Sequence, residues 1–194
     1  MYEYIKGKIT GLSPTHVVIE GGAVGYYINV SLNTYSAVAG EKEILLYLHQ
    51  VVREDAHILY GFASEDERRL FRLLISVNGI GANTAIVMLS SHAANEICSA
   101  IISGDVNFLK GIKGIGVKTA QRVIIDLKDK MDKFAATSEN SLINNNNSLK
   151  EDALSALIAL GIARKSAEKA IDSILKKDAG LSVEQLIKQV LKHI

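Results

Sequence analysis

Two short stretches of this chain carry the residue types that bind anions through the backbone. Residues 78–85 read Asn-Gly-Ile-Gly-Ala-Asn-Thr-Ala, and residues 113–120 read Lys-Gly-Ile-Gly-Val-Lys-Thr-Ala. Gly79 and Gly114, Gly81 and Gly116, Thr84 and Thr119, Ala85 and Ala120 each stand 35 positions apart. The apolar frame keeps the same step, with Leu74 matching Leu109, Ile80 matching Ile115 and Leu89 matching Ile124. A fixed-period repeat of this length marks one supersecondary unit used twice. Each copy predicts a helix, a tight Gly-x-Gly turn and a second helix. Glycine lets the backbone turn sharply and lets a ligand come close. The outgoing helix then presents unpaired N–H groups and the positive end of its dipole, which together bind an anion.

A second feature is acidic. Arg53-Glu54-Asp55 joins two strand-like runs and puts adjacent carboxylates at a hairpin tip. One reading is a solvated turn, where Asp is common. The other is a negative prong facing DNA. A metal-binding pair is disfavoured, since no carboxylate or His cluster lies close in sequence; His57 reads as a surface residue on a strand. No metal and no cofactor are expected.

These residues need elements to hold them. Residues 1–63 read as five short strands with glycine-rich turns, which suits a five-stranded Greek-key barrel of the oligonucleotide-binding type. An SH3-like barrel is the alternative. Residues 64–136 are helical. Ser64 caps the first helix, with Glu65, Asp66 and Glu67 in its first turn. Leu70, Phe71, Leu74 and Val77 form its apolar face. Ser91 or Asn95 opens the next helix after the first turn, Asp105 caps a short one, and the last runs from Val117 to about Phe134. Residues 137–149, with four consecutive asparagines, predict a flexible linker. Residues 150–194 predict a three-helix module, opened by a capping box at Ser148-Leu149-Lys150-Glu151 and interrupted by Gly161. Its last helix opens with a second capping box, Ser182 to Gln185. The expected fold is therefore multidomain α+β.

Bulk properties narrow the function. Net charge is only +1, against a protein that coats nucleic acid by charge alone. Residues 64–136 carry 10 basic and 8 acidic side chains, so backbone donors must supply much of the anion binding there. The sequence has no long apolar run for a membrane span and no basic-then-apolar start of a signal peptide. Cys98 is the single cysteine, sits in a helical pattern, and reads as a small core residue. A cytoplasmic protein is expected. The chain also lacks a phosphate loop: Gly114 to Thr119 has the wrong spacing.

The repeated turn resembles the helix-hairpin-helix motif, whose N–H groups hold DNA phosphates without reading bases. The whole chain, in order, resembles the RuvA family of bacterial Holliday junction-binding subunits. The resemblance is most specific at Val51-Val52-Arg53-Glu54-Asp55-Ala56, at residues 78–85 and at residues 114–122. It implies a non-catalytic subunit, acting as a homotetramer, with one or two tetramers on an open, square-planar four-way DNA junction. It implies phosphate contacts at Gly79, Gly81, Ala82 and Asn83 on one strand. Gly114, Gly116, Val117, Lys118 and Arg122 would serve the other. Glu54 and Asp55 become an acidic pin at the crossover, with Arg53 moderating it or touching a phosphate. The last module would engage a RuvB-type hexameric ATPase through Leu157, Leu160 and Ile162, unless these form its own core. A RuvC-type resolvase is a further partner on this resemblance. Two departures stand out: relatives often have Pro where this chain has Lys113, and Pro-Lys where it has Ala82-Asn83.

Two rivals compete with this reading. A helix-hairpin-helix glycosylase/lyase could use Lys118 as a Schiff-base nucleophile. It would need a catalytic Asp after a Gly/Pro-rich loop about twenty residues on, and Lys133-Phe134-Ala135-Ala136 is not such a loop. The third reading is a protein-interaction scaffold without DNA.

Overall fold

The computed structural model describes residues 2–140, 145–175 and 181–193, with the backbone alone given at 132, 133, 135–140, 145–148, 151 and 193. The chain divides into two compact units, Met1–Ser138 and Glu139–Ile194. The first begins with five strands: β1 (Tyr4–Ser13), β2 (His16–Gly21), β3 (Val24–Val30), β4 (Glu43–Val52) and β5 (His57–Phe62). They close into a barrel in the order β1-β2-β3-β5-β4. The β3–β5 pair is parallel, through Ile28 opposite Leu59, and the others are antiparallel. This is the oligonucleotide-binding order rather than an SH3-like one. Alternation along the strands sends Val17, Ile19, Ile28, Val30, Leu46 and Leu48 inward to a dry core.

A helix not foreseen from the sequence, α1 (Leu32–Val38), bridges β3 and β4. Ser31 caps it, its hydroxyl accepting the Thr34 N–H at 3.0 Å. At seven residues it is too short to show a periodic apolar stripe.

Five helices follow: α2 (Glu65–Ile75), α3 (Ala82–Ser91), α4 (Ala94–Ser103), α5 (Val106–Lys110) and α6 (Val117–Asn140). Ser64 caps α2 and Asp105 caps α5, each through its side-chain oxygen. The cap of α4 is Ala93 rather than Ser91 or Asn95; Glu96 compensates by accepting the Ala93 N–H at 2.8 Å. Helix α6 outlasts its expected end near Phe134. Leu70, Phe71, Leu74, Met88, Leu89, Ile97, Ile101 and Leu127 form a second core, and β5 supplies Tyr60 and Phe62 to it. Phe62 meets Phe71 with ring centroids 4.9 Å apart. The expected divide at residue 63 is therefore no gap: the last strand of the barrel is also a wall of the helical core.

The second unit contains α7 (Asn145–Ala159), α8 (Arg164–Leu175) and α9 (Val183–His193) around Leu157, Ile171, Leu186 and Val190. Gly161, at φ +89°, ends α7 in the left-handed region where a side chain would be strained. Ser182 and Gln185 form the expected reciprocal cap of α9, at 3.0 and 3.3 Å. The other expected capping box is displaced. Helix α7 already starts at Asn145, so Ser148 lies inside its first turn instead of ahead of it. Of the expected linker 137–149, helix occupies 137–140 and 145–149; residues 141–144 lie outside the described residues.

Candidate nucleic-acid interface

The two glycine turns are nearly the same object. Gly79 has φ +97° and Gly114 has φ +91°, a region that costs other residues about 1–2 kcal/mol. Between the paired glycines, Ile80 and Ile115 drive into the helical core, each 5% exposed. Their N–H groups bond Val77 O at 3.1 Å and Ile112 O at 3.0 Å. The isoleucine anchors each turn from inside, which leaves the glycines outside.

The turns also face each other reciprocally. A methyl built on Gly79 would lie 4.0 Å from Thr119 Oγ1, and one on Gly114 would lie 3.8 Å from Thr84 Cγ2. Each turn thus abuts the first turn of the other copy's outgoing helix, as an approximate two-fold requires. The second glycines are different. Gly81 has extended backbone, φ −86° and ψ 168°, which any residue adopts. Gly116 is outside the left-handed region too, and a methyl at either would meet no protein atom within 4 Å. Nothing inside the molecule requires glycine there. That open space leaves the backbone at both positions accessible to a ligand.

The donors are in place. The first intrahelical bonds of α3 and α6 run from Ala85 N–H to Gly81 O at 3.0 Å and from Ala120 N–H to Gly116 O at 2.9 Å. The N–H groups of Ala82, Asn83, Val117 and Lys118 therefore have no carbonyl in their own helices. Cationic side chains stand beside them. A cleft of about 470 Å³ runs from Asn78 and Gly79 to Lys118, Thr119, Gln121, Arg122, Ile125 and Asp126 of α6. Lys118 and Arg122, expected at the second hairpin, thus also flank the first turn.

Asn83 is used differently from Lys118. Its Oδ1 accepts the Tyr60 hydroxyl at 3.1 Å, so its side chain ties the hairpin to the barrel. Burial raises the Tyr60 pKa, against the opposing pull of the Arg53 guanidinium, and the phenol stays a donor at neutral pH. Sequence reading missed Tyr60 because its partner lies across two elements.

The acidic pair sits at the tip of the β4–β5 hairpin, closed by Arg53 N–H to Ala56 O at 2.8 Å. Glu54 and Asp55 are exposed, as is His57. Neither carboxylate has an ion-pair partner among the described residues. Their charges are uncompensated, and Asp55 lies five residues along the chain from Tyr60, which holds the first hairpin. No group of three His, Cys, Asp or Glu side chains among the described residues is arranged to hold a metal. No helix among them is by itself long and apolar enough to cross a membrane.

The expected motor-contact residues separate. Leu157 is fully buried in the core of its module, so it supports that fold and offers no surface. Leu160 is 61% exposed, and Ile162 is half-buried against the same core. The helix ends at Ala159, which leaves Leu160 outside, and the chain turns back at Gly161 so that the Ile162 N–H bonds Leu157 O at 3.0 Å.

A closed five-stranded barrel followed by two glycine turns related by an approximate two-fold defines a protein of the barrel and tandem helix-hairpin-helix class. Comparison with known proteins gives the same answer domain by domain. The RuvA N terminal domain matches residues 1–61, the SAM-like helix-hairpin-helix tandem matches 71–129, and the RuvA C-terminal domain matches 148–194. The chain is 48% identical over 194 residues to the Holliday junction branch migration complex subunit RuvA of Christiangramia forsetii, with all of both chains covered. It is 49% identical over 194 residues to that of Flavobacterium psychrophilum and 47% over 204 residues to that of Porphyromonas gingivalis, again covering both chains entirely. The chain belongs to the RuvA family of Holliday junction branch migration complex subunits.

Proposed function

We propose that this chain holds the four arms of a DNA junction through its two glycine turns and keeps the crossing strands apart with Glu54 and Asp55. The observation that carries this is the pair of second glycines, Gly81 and Gly116, which the fold does not need and a close phosphate does. Gly79, Gly81 and the N–H groups of Ala82 and Asn83 take one strand. Gly114, Gly116, Val117, Lys118 and Arg122 take the other. At a junction centre phosphates converge, and four acidic tips from a homotetramer repel them while the turns attract the arms. The chain is a non-catalytic subunit; strand movement is driven by a RuvB-type ATPase that docks on residues 150–194, with Leu160 and Ile162 at the contact. On this reading residues 1–63 carry the pin, 64–136 the grips, and 137–149 the tether, in a cytoplasmic protein.

The test compares a four-way junction with a linear duplex of the same sequence. The junction should bind far more tightly, and its affinity should fall steeply with salt as phosphate contacts release counterions. Glu54→Gln combined with Asp55→Asn should tighten duplex binding and erode the preference. Equal affinity of the unaltered protein for both DNAs would sink the proposal.

A further inference from the structure

The buried polar and charged side chains among the described residues are Ser31, Thr34, Glu67 and Arg68. All of them lie on one seam, where α2 meets the barrel. The Glu67 carboxylate, 7% exposed, accepts the hydroxyl of Ser31 and, at 2.7 Å, that of Thr34. Thr34 Oγ1 in turn accepts the Ala63 N–H at 3.0 Å, just ahead of the α2 cap. Arg68, the next residue on α2, reaches another part of the barrel. It donates to Glu3 O at 2.8 Å, pairs with the Glu3 and Glu65 carboxylates, and lies 5.2 Å from the centre of the Tyr47 ring. Helix α1 also holds the far end of α3: Asn33 Nδ2 donates to Leu89 O at 2.6 Å and His92 O at 3.1 Å. The first hairpin, α2–turn–α3, is thus tied to the barrel at its entry, at its exit and, through Tyr60, beside its tip.

Apolar packing fixes proximity more than angle. A buried carboxylate is costly unless its acceptor sites are filled. Both hydroxyls must therefore stay aligned with Glu67, which tolerates little rotation of α2 on the barrel. A satisfied polar seam of this kind specifies orientation. The acidic tip is on the barrel side of the seam and the phosphate grip is on the other.

We propose that Glu67, with Ser31 and Thr34, is the positioning element that fixes the first hairpin relative to the acidic tip, and so sets junction selectivity. This rests on the reading of the turns as phosphate grips. A linear duplex is held by the grips and only opposed by the tip. A junction needs grips and tip at one fixed separation, so a loosened seam lowers junction affinity and does not lower duplex affinity.

The test uses the full chain with Glu67→Gln and, separately, Thr34→Val, which removes one hydroxyl and keeps the carboxylate. Junction and duplex affinities are measured at one salt concentration, beside thermal melting. The junction-over-duplex ratio should fall about tenfold for E67Q and about threefold for T34V, the scale of one charged hydrogen bond and part of one. Duplex affinity should stay within about twofold, since the grips are intact. An unchanged ratio in folded variants overturns the proposal. So does a parallel loss of junction and duplex affinity that tracks melting temperature, which would make the seam structural only. If E67Q does not fold, T34V decides by the same criteria. A lack of junction preference in the unaltered protein would instead defeat the reading of the grips.

Discussion

The two hairpins share a backbone and an isoleucine anchor and differ in the polar side chains around them. Gly79 and Gly114 adopt the same left-handed turn, and each leans on the other copy's threonine. The first hairpin has Ala82 and Asn83 after its second glycine, and Asn83 turns back to Tyr60. The second has Val117 and Lys118, both exposed, and Lys113 ahead of its first glycine. One hairpin is fastened to the barrel by side chains; the other offers cations to solvent. On the proposed reading, the difference puts the anion-binding device in the main chain. Side chains divide the remaining work, anchoring on one side and attraction on the other. Lys118 and Arg122 bordering the Asn78-Gly79 turn explains how the first hairpin can do without a lysine of its own.

The strongest way to break this comparison is to block the backbone where the two hairpins agree. The Cβ of Gly81→Val or Gly116→Val meets no protein atom within 4 Å, so stability should fall only by the weaker helix cap, about 1 kcal/mol. Each should nevertheless cost about 1.5–3 kcal/mol in junction binding, roughly ten- to hundredfold, as charged hydrogen bonds to phosphate are lost. Gly79→Ala and Gly114→Ala should behave oppositely. Strain of about 1–2 kcal/mol would lower melting by roughly 2–4 °C per kcal/mol, with binding following the fold. If the valine variants lost binding only in step with melting, the external role of the second glycines would be wrong.

A smaller effect should separate the hairpins where they differ. Lys118→Ala removes a phosphate cation without touching the core. Its junction affinity should fall severalfold at low salt, and the salt slope should drop by about one. Asn83→Ala should leave the slope unchanged. A slope change for Asn83→Ala, or none for Lys118→Ala, would reverse the division of labour drawn here.

Much of this was legible in the sequence because the signals are local. The Ser64, Asp105 and Ser182 caps and the strand alternation each depend on residues within a few positions of one another, and the repeat is a short local motif that recurs 35 positions on. What stayed hidden depends on partners far apart in the chain. Glu67 reads as an ordinary first-turn acid beside Glu65 and Asp66, yet its carboxylate serves Ser31 and Thr34 across the fold. Helix α1 is too short for periodicity and was invisible without the α3 carbonyls that Asn33 binds. Whether Leu157 or Leu160 faces inward is not readable from the sequence; only the closing of the module around Ile171 and Leu186 decides that. Ser148 misled because a capping box is a local preference, and a helix already running from Asn145 overrides it.

The smallest effect is the most diagnostic of the two designs. Asn83→Lys gives the first hairpin the cation that Lys118 gives the second, and it gives up the Tyr60 hydrogen bond. Tyr60 is buried, so its hydroxyl would lose a partner at a cost of about 1 kcal/mol. The new ammonium would sit at a helix N-terminus, where the dipole repels it until DNA is bound. Stability should therefore fall by roughly 1–2 kcal/mol in the free protein. The salt slope should rise by about one, and junction affinity at low salt should gain severalfold at most. Pairing Asn83→Lys with Tyr60→Phe should recover part of the lost stability, because the unpaired hydroxyl is then gone. If Tyr60→Phe destabilised the lysine variant as much as the unaltered protein, Asn83 and Tyr60 would not be coupled. The first hairpin's anchoring would then have to lie in the Glu67 seam and the Asn33 contacts.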